Sequence, residues 1–205
     1  MDDLERDKGE KKSRIFLSVM MIAQLLIGFG VAVAVYKLGS TEKYDRKIAA
    51  VKGEDMQWAY LAAVVFTRLV AWVNLYPMVY KARLMQFDSG NLRANMYIYK
   101  TPAGQPVLLD EGPEVGKYNR ANRSLTHFTE WAAAMCVAFL MVAYCFPVPA
   151  FVLTIVYALG RVLHQIGYAA KGYGGHAKGF MLNSIANSTM EGFLLLVALK
   201  GFDIM

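Results

Sequence analysis

A chain of 205 residues that is 56% hydrophobic, only 19% charged and of net charge +6 has the length of one domain. It is too apolar to hide its hydrophobic surface in a soluble core of that size. No basic patch with interleaved aromatics forms a separate domain, which excludes a nucleic-acid partner.

The N-terminal "MDDLERDKGEKKSR" mixes acids and bases and leads into Ile15 to Tyr36, 22 residues without a charge. That length crosses a bilayer core of roughly 30 Å. No small-residue cleavage site follows, so a retained span is expected. In all, the apolar runs predict five spans at 15–37, 57–81, 125–146, 149–170 and 179–201. The second carries Arg68, Asn74 and Pro77. The polar connection 84–117 contains "MYIYKTPAGQPVLLDEGPEVGK", whose alternation around "PAGQP" predicts a short hairpin. Cys136 and Cys145 lie inside the third apolar run, which argues against a disulfide framework and for buried, inert thiols. Pro147 and Pro149 predict a tight turn and an antiparallel pair of spans, and "GYGGHAKG" separates the fourth span from the fifth. Arg68 and Glu191 fall near mid-membrane and are expected to form a buried ion pair, with Asn74, Asn183 and Asn187 as interhelical hydrogen-bonding groups. Placing the N-terminus and both polar loops on one side gives that side fourteen lysines and arginines against six, so it is expected to face the cytosol.

Two stripes carry chemistry. On a helix, Arg120, Arg123, His127 and Glu130 recur at spacings of three, four and three, which puts them on one face at the cytosolic end of the third span. A plain reading is an interfacial collar with Arg123 paired to Glu130. In the fourth span Arg161, His164 and Tyr168 recur at three and four, with Gly160 and Gly167 allowing close helix approach. Two such stripes on one hairpin describe a cation-rich pocket open to the cytosol and suited to an anionic ligand.

"YNRANRSLTHFTEW" followed by "YALGRVLHQIGYA" resembles the MAPEG family, the membrane-associated proteins in eicosanoid and glutathione metabolism, and within it the branch of microsomal glutathione transferase type 3 and leukotriene C synthase. Tyr118, Asn119, Arg123, Ser124, His127 and Glu130 stand in register with one family motif. Gly160, Arg161, Val162, Leu163, Gly167 and Tyr168 meet a second, and Tyr80 to Arg83 resembles the basic end of the family's first helix. The likeness covers about 57–201. It implies an all-α integral membrane protein: a four-helix MAPEG-like bundle at 57–205, assembling as a homotrimer, with 1–56 adding a tail, an extra transmembrane helix and a linker. It also implies glutathione as co-substrate, held between subunits by Arg123 and Glu130, with Trp131, His164 and Tyr168 lining the site and Arg83 reaching in from the neighbour. Arg120, His127 and Arg161 join the same set, and no metal is implied.

The chain departs from the family pattern twice. His127 stands where the motif has asparagine, and the stretch after Tyr168, "AAKGYGGHAKG", holds no arginine where the family places its catalytic one. His176 and Lys178 are the candidates to stabilise a thiolate instead. The expected activity is that of a glutathione transferase or peroxidase acting on lipophilic electrophiles or lipid hydroperoxides from the surrounding lipid. The endoplasmic reticulum is the expected membrane, with the mitochondrial or plastid envelope as alternatives. The other reading is a non-catalytic, lipid-binding or structural subunit of a larger membrane complex.

Overall fold

The computed structural model describes residues 3–81 and 96–205, and Arg83 lies outside the described residues. The described residues form six helices and one small hairpin: α1 (Asp3–Leu38), α2 (Thr41–Gly53), α3 (Gln57–Leu75), β1 (Tyr99–Lys100), β2 (Leu108–Leu109), α4 (Pro113–Cys145), α5 (Pro147–Lys171) and α6 (Ala177–Gly201). Among the described residues five helical segments are long and apolar enough to cross a membrane, the second running on through Pro77 to Lys81. Helices suit that environment because a bilayer core offers no water to backbone polar groups. The chain is an all-α integral membrane protein.

Proline sets the helix starts. Pro113 opens α4 and Pro147 opens α5, each in the first helical turn, where its missing N–H has no intrahelical acceptor to serve. Phe146 alone separates α4 from α5, so the two are antiparallel neighbours as the paired prolines predict. α4 begins about three turns earlier than the expected 125 and takes up the last residues of the polar connection. The "PAGQP" hairpin is formed, with Tyr99 opposite Leu109 and Lys100 opposite Leu108. Asn119 on α4 holds it: Ile98 N donates to Asn119 Oδ1 at 2.9 Å, and Asn119 Nδ2 donates to the carbonyls of Ile98 and Asp110, both at 2.8 Å.

Three layers of buried side chains stack along the bundle. At the basic end Leu17 and Met21 of α1 meet Tyr76, Tyr80, Tyr118 and Ala169. In the middle Phe66, Val73, Phe128, Met135, Tyr157 and Ala186 interlock, and at the far end Ala62, Phe139, Val142, Ala150 and Met190 do so. α5 and α6 touch backbone to backbone. A Cβ on Gly160 would lie 2.7 Å from Asn183 N and 3.0 Å from Gly179 O, so this crossing requires glycine.

Two expectations change. Arg68 does not reach Glu191: its Nη1 donates to the Met21 carbonyl of α1 at 3.4 Å, while Glu191 is exposed on the outside of α6. The two sit on helix faces that the bundle turns in different directions. Cys145 is exposed and Cys136 half-buried, and both are free, so burial does not shield Cys145. α1 is anchored near Leu17 and Met21 and leaves most of its apolar length exposed.

Candidate functional site

The two polar stripes meet. α4 brings Arg123, Ser124 and His127, α5 brings His164 and Tyr168, and the α5–α6 turn brings Tyr173 and His176 to one cleft of about 210 Å³, closed by Phe180. The chain has three histidines in all, and all three face this space. His127 and His164 stack at 5.6 Å with an interplanar angle of 13°, and His164 and His176 lie 5.2 Å apart. Tyr168 meets His176 edge to face at 5.5 Å. The rings of His127 and His164 stack instead of converging, and among the described residues no group of His, Cys, Asp and Glu is placed to hold a metal ion.

Arg161 organises the floor. It is 2% exposed, its guanidinium lies over the Phe128 ring at 5.4 Å, and Nη2 donates to the Ser124 carbonyl at 3.1 Å. Nη1 lies 3.1 Å from His127 Nδ1. Arginine has no acceptor, so His127 Nδ1 must accept, which puts the ring proton on Nε2. Ser124 Oγ lies 3.0 Å from His164 Nδ1, so both histidines are oriented by hydrogen bonds from behind. Their other ring nitrogens are left for the cleft.

At the rim, Arg123 Nη1 lies 3.4 Å from Glu130 Oε1, with side-chain exposures of 53% and 49%. The collar pairing is therefore real, but an exposed pair of this kind contributes about 0–1 kcal/mol. It is weak enough for a ligand to replace.

Arg120 is turned away from the cleft. Its Nε donates to the Ala169 carbonyl at 3.0 Å, tying α4 to the last turn of α5. Lys178 is exposed on the first turn of α6 and is not part of the cleft wall, whereas His176 is. Trp131 lines a second, deeper cavity of about 110 Å³ together with His127, Arg161, Asn183 and Asn187. Here Asn183 Nδ2, Asn187 Oδ1 and Arg161 Nε have no partner among the described residues, so these asparagines face the cavity and do not bridge helices.

Sequence reasoning missed Tyr173, Phe180 and this asparagine wall. The signal for the wall was present: His176, Phe180, Asn183 and Asn187 recur at four, three and four, one face of α6. Tyr173 carried no such signal, because its position depends on how the glycine-rich turn folds back, with Gly172 at φ +71° and Gly174 at φ +88°.

The profile of the MAPEG family matches residues 57–196. The chain belongs to the MAPEG family. The match takes in every helix that builds the cleft and leaves α1 and α2 outside it. No curated protein and no solved structure matches the chain. Within a MAPEG bundle, the cleft is lined by three histidines, two tyrosines and Arg123, whose exposed partner Glu130 stands outside the lining.

Proposed function

We propose that this protein is a membrane-bound glutathione transferase or peroxidase, of the microsomal glutathione transferase type 3 kind, acting on lipophilic electrophiles or lipid hydroperoxides. The Arg123–Glu130 pair at the mouth of the three-histidine cleft carries the reading. Glutathione has two carboxylates and one ammonium. A carboxylate takes the planar fork of Arg123 and the ammonium takes Glu130, each replacing a weak exposed partner by a charge-assisted one. The cleft of about 210 Å³ lies below the roughly 300 Å³ at which small-ligand pockets begin. That supports a homotrimer in which a neighbouring subunit completes the site with Arg83.

The thiol must ionise to react. With an ordinary pKa of about 8.5, half-ionisation at pH 7 requires roughly 2 kcal/mol of preferential stabilisation of the thiolate. His176 is the group on the cleft wall best placed to supply it, and Lys178 would have to swing in from outside. In conjugation the sulfur lone pair forms a bond to the electrophilic carbon, and the leaving group departs with its electron pair. In the peroxidase reaction two glutathione thiols become a disulfide, while the hydroperoxide is reduced to an alcohol and water. The bias of its basic residues supports a cleft that faces the cytosol, and we take the endoplasmic reticulum as the membrane from the family likeness alone.

A second reading is favoured by one observation: the turn after Tyr168 holds no arginine. On that reading the chain is a non-catalytic, lipid-binding or structural subunit that uses the exposed face of α1 as its contact surface. Turnover by the purified protein in detergent, with a hydrophobic electrophile, separates the two. Arg123→Ala is expected to lower kcat/KM for glutathione about ten- to a hundred-fold, the loss of one charge-assisted bond. Absence of both turnover and a glutathione-dependent thermal shift in the wild type would refute the enzyme reading.

A further inference from the structure

A larger cavity lies elsewhere in the described residues. A groove of about 860 Å³ runs between α1, which the family match does not reach, and the bundle wall made by α3, α4 and α5. Its upper part is charged. Glu10, 3% exposed, is paired with Lys117 and with Arg14 at 3.9 Å, so this triad already carries a net positive charge. Lys11 and Lys171 flank it on the two sides, both exposed and without an ion-pair partner among the described residues. The five groups together sum to three positive charges.

Below them the groove is apolar. Ile15, Val19 and Ile22 of α1 line it with Ile166 and Trp72, whose ring stacks on Tyr76 at 5.7 Å. From Ile15 to Ile22 is seven residues, or roughly 10 Å along the helix axis. One leaflet of a bilayer core is about 15 Å deep. A cationic head above an apolar floor that reaches about two-thirds of the way through a leaflet matches an amphiphile, and a free anion would use only the charged upper end.

We propose that this groove is a binding site for one anionic phospholipid of the leaflet at the basic end, its phosphodiester held by Lys11 and Lys171 and its acyl chains lying between α1 and the bundle. The lipid adds to a sparse contact, because α1 meets the bundle only at Glu10 and around Leu17 and Met21 among the described residues. The same bias of basic residues that orients the chain puts the groove in the leaflet where anionic lipids concentrate. Nothing in this assignment depends on glutathione.

Native mass spectrometry of the full chain in detergent tests it, with phosphatidylglycerol, phosphatidylcholine of the same chains and inorganic phosphate as probes. The wild type is expected to retain phosphatidylglycerol in preference to phosphatidylcholine. Lys11→Gln with Lys171→Gln should weaken phosphatidylglycerol about thirty-fold, about five-fold for each lysine near a membrane surface, with phosphatidylcholine unchanged. Val19→Trp, which fills the floor and leaves every charge, should also displace the lipid. Equal retention of the two lipids overturns the proposal, as does undiminished phosphatidylglycerol binding by the double variant. Displacement of the lipid by equimolar phosphate would reassign the site to a free anion. Both lysines are exposed, so the double variant folds even if Val19→Trp does not.

Discussion

Gly179→Ala should damage both the bundle and the cleft, and the size of the effect can be worked from the backbone contact it would spoil. A Cβ at this position would lie 2.6 Å from His164 Cα and 2.5 Å from Gly160 O. Carbon atoms in contact prefer about 3.5–4.0 Å, so α5 and α6 must part by about 1 Å. Neither obstacle is the end of a flexible side chain, and relief therefore moves a helix. Overpacking of this kind costs about 1–3 kcal/mol. For a chain of this size that lowers the melting temperature by roughly 2–12 °C, at about 2–4 °C per kcal/mol. Because His164 itself sits at the contact, the cleft opens as the helices part, and a displacement of about 1 Å can cost up to a hundred-fold in rate. Gly192→Ala is the control in the same helix, with open space beside it. There alanine gains up to about 1 kcal/mol of helix propensity, so melting should stay level or rise. Thermal melting in detergent, followed by tryptophan fluorescence, reads both variants. If Gly179→Ala melts at or above the wild type, the close α5–α6 crossing described above is wrong.

Two further substitutions probe the site and its support. His176→Ala should reduce glutathione turnover at least ten-fold while Lys178→Ala stays within about two-fold, since only His176 lies on the cleft wall; the reverse order in a kcat comparison would return the thiolate role to the lysine. Asn119→Ala removes three hydrogen bonds to the hairpin, each contributing about 1 kcal/mol. Hydrogen exchange should therefore quicken over residues 98–110 while the protection of α5 and α6 is unchanged.

The spans were legible because a bilayer imposes one rule on composition: about twenty apolar residues in a row, with the backbone satisfied within the helix. The "PAGQP" hairpin and the α4–α5 turn were legible for a different local reason, the way proline and glycine punctuate a chain. Helix periodicity also placed Arg123, His127 and Glu130 on one face and Arg161, His164 and Tyr168 on another. α2 was missed because it is short and charge-rich and its apolar stripe, Tyr44, Ile48 and Val51, buries no residue, so nothing sets it apart from a polar linker.

By itself, then, the sequence determined the class of protein, the order of its spans, and which side chains share a helical face. Tertiary structure alone decided where each face points. Arg120 shares a stripe with Arg123 yet spends its donor on the Ala169 carbonyl, and Arg68 turns to Met21 instead of Glu191. The gathering of His127, His164 and His176 in one cleft rests on glycines that let α5 and α6 touch. Periodicity fixes an angle around one helix axis. The rotation of that helix against its neighbours comes from packing, and packing involves residues far apart in the chain.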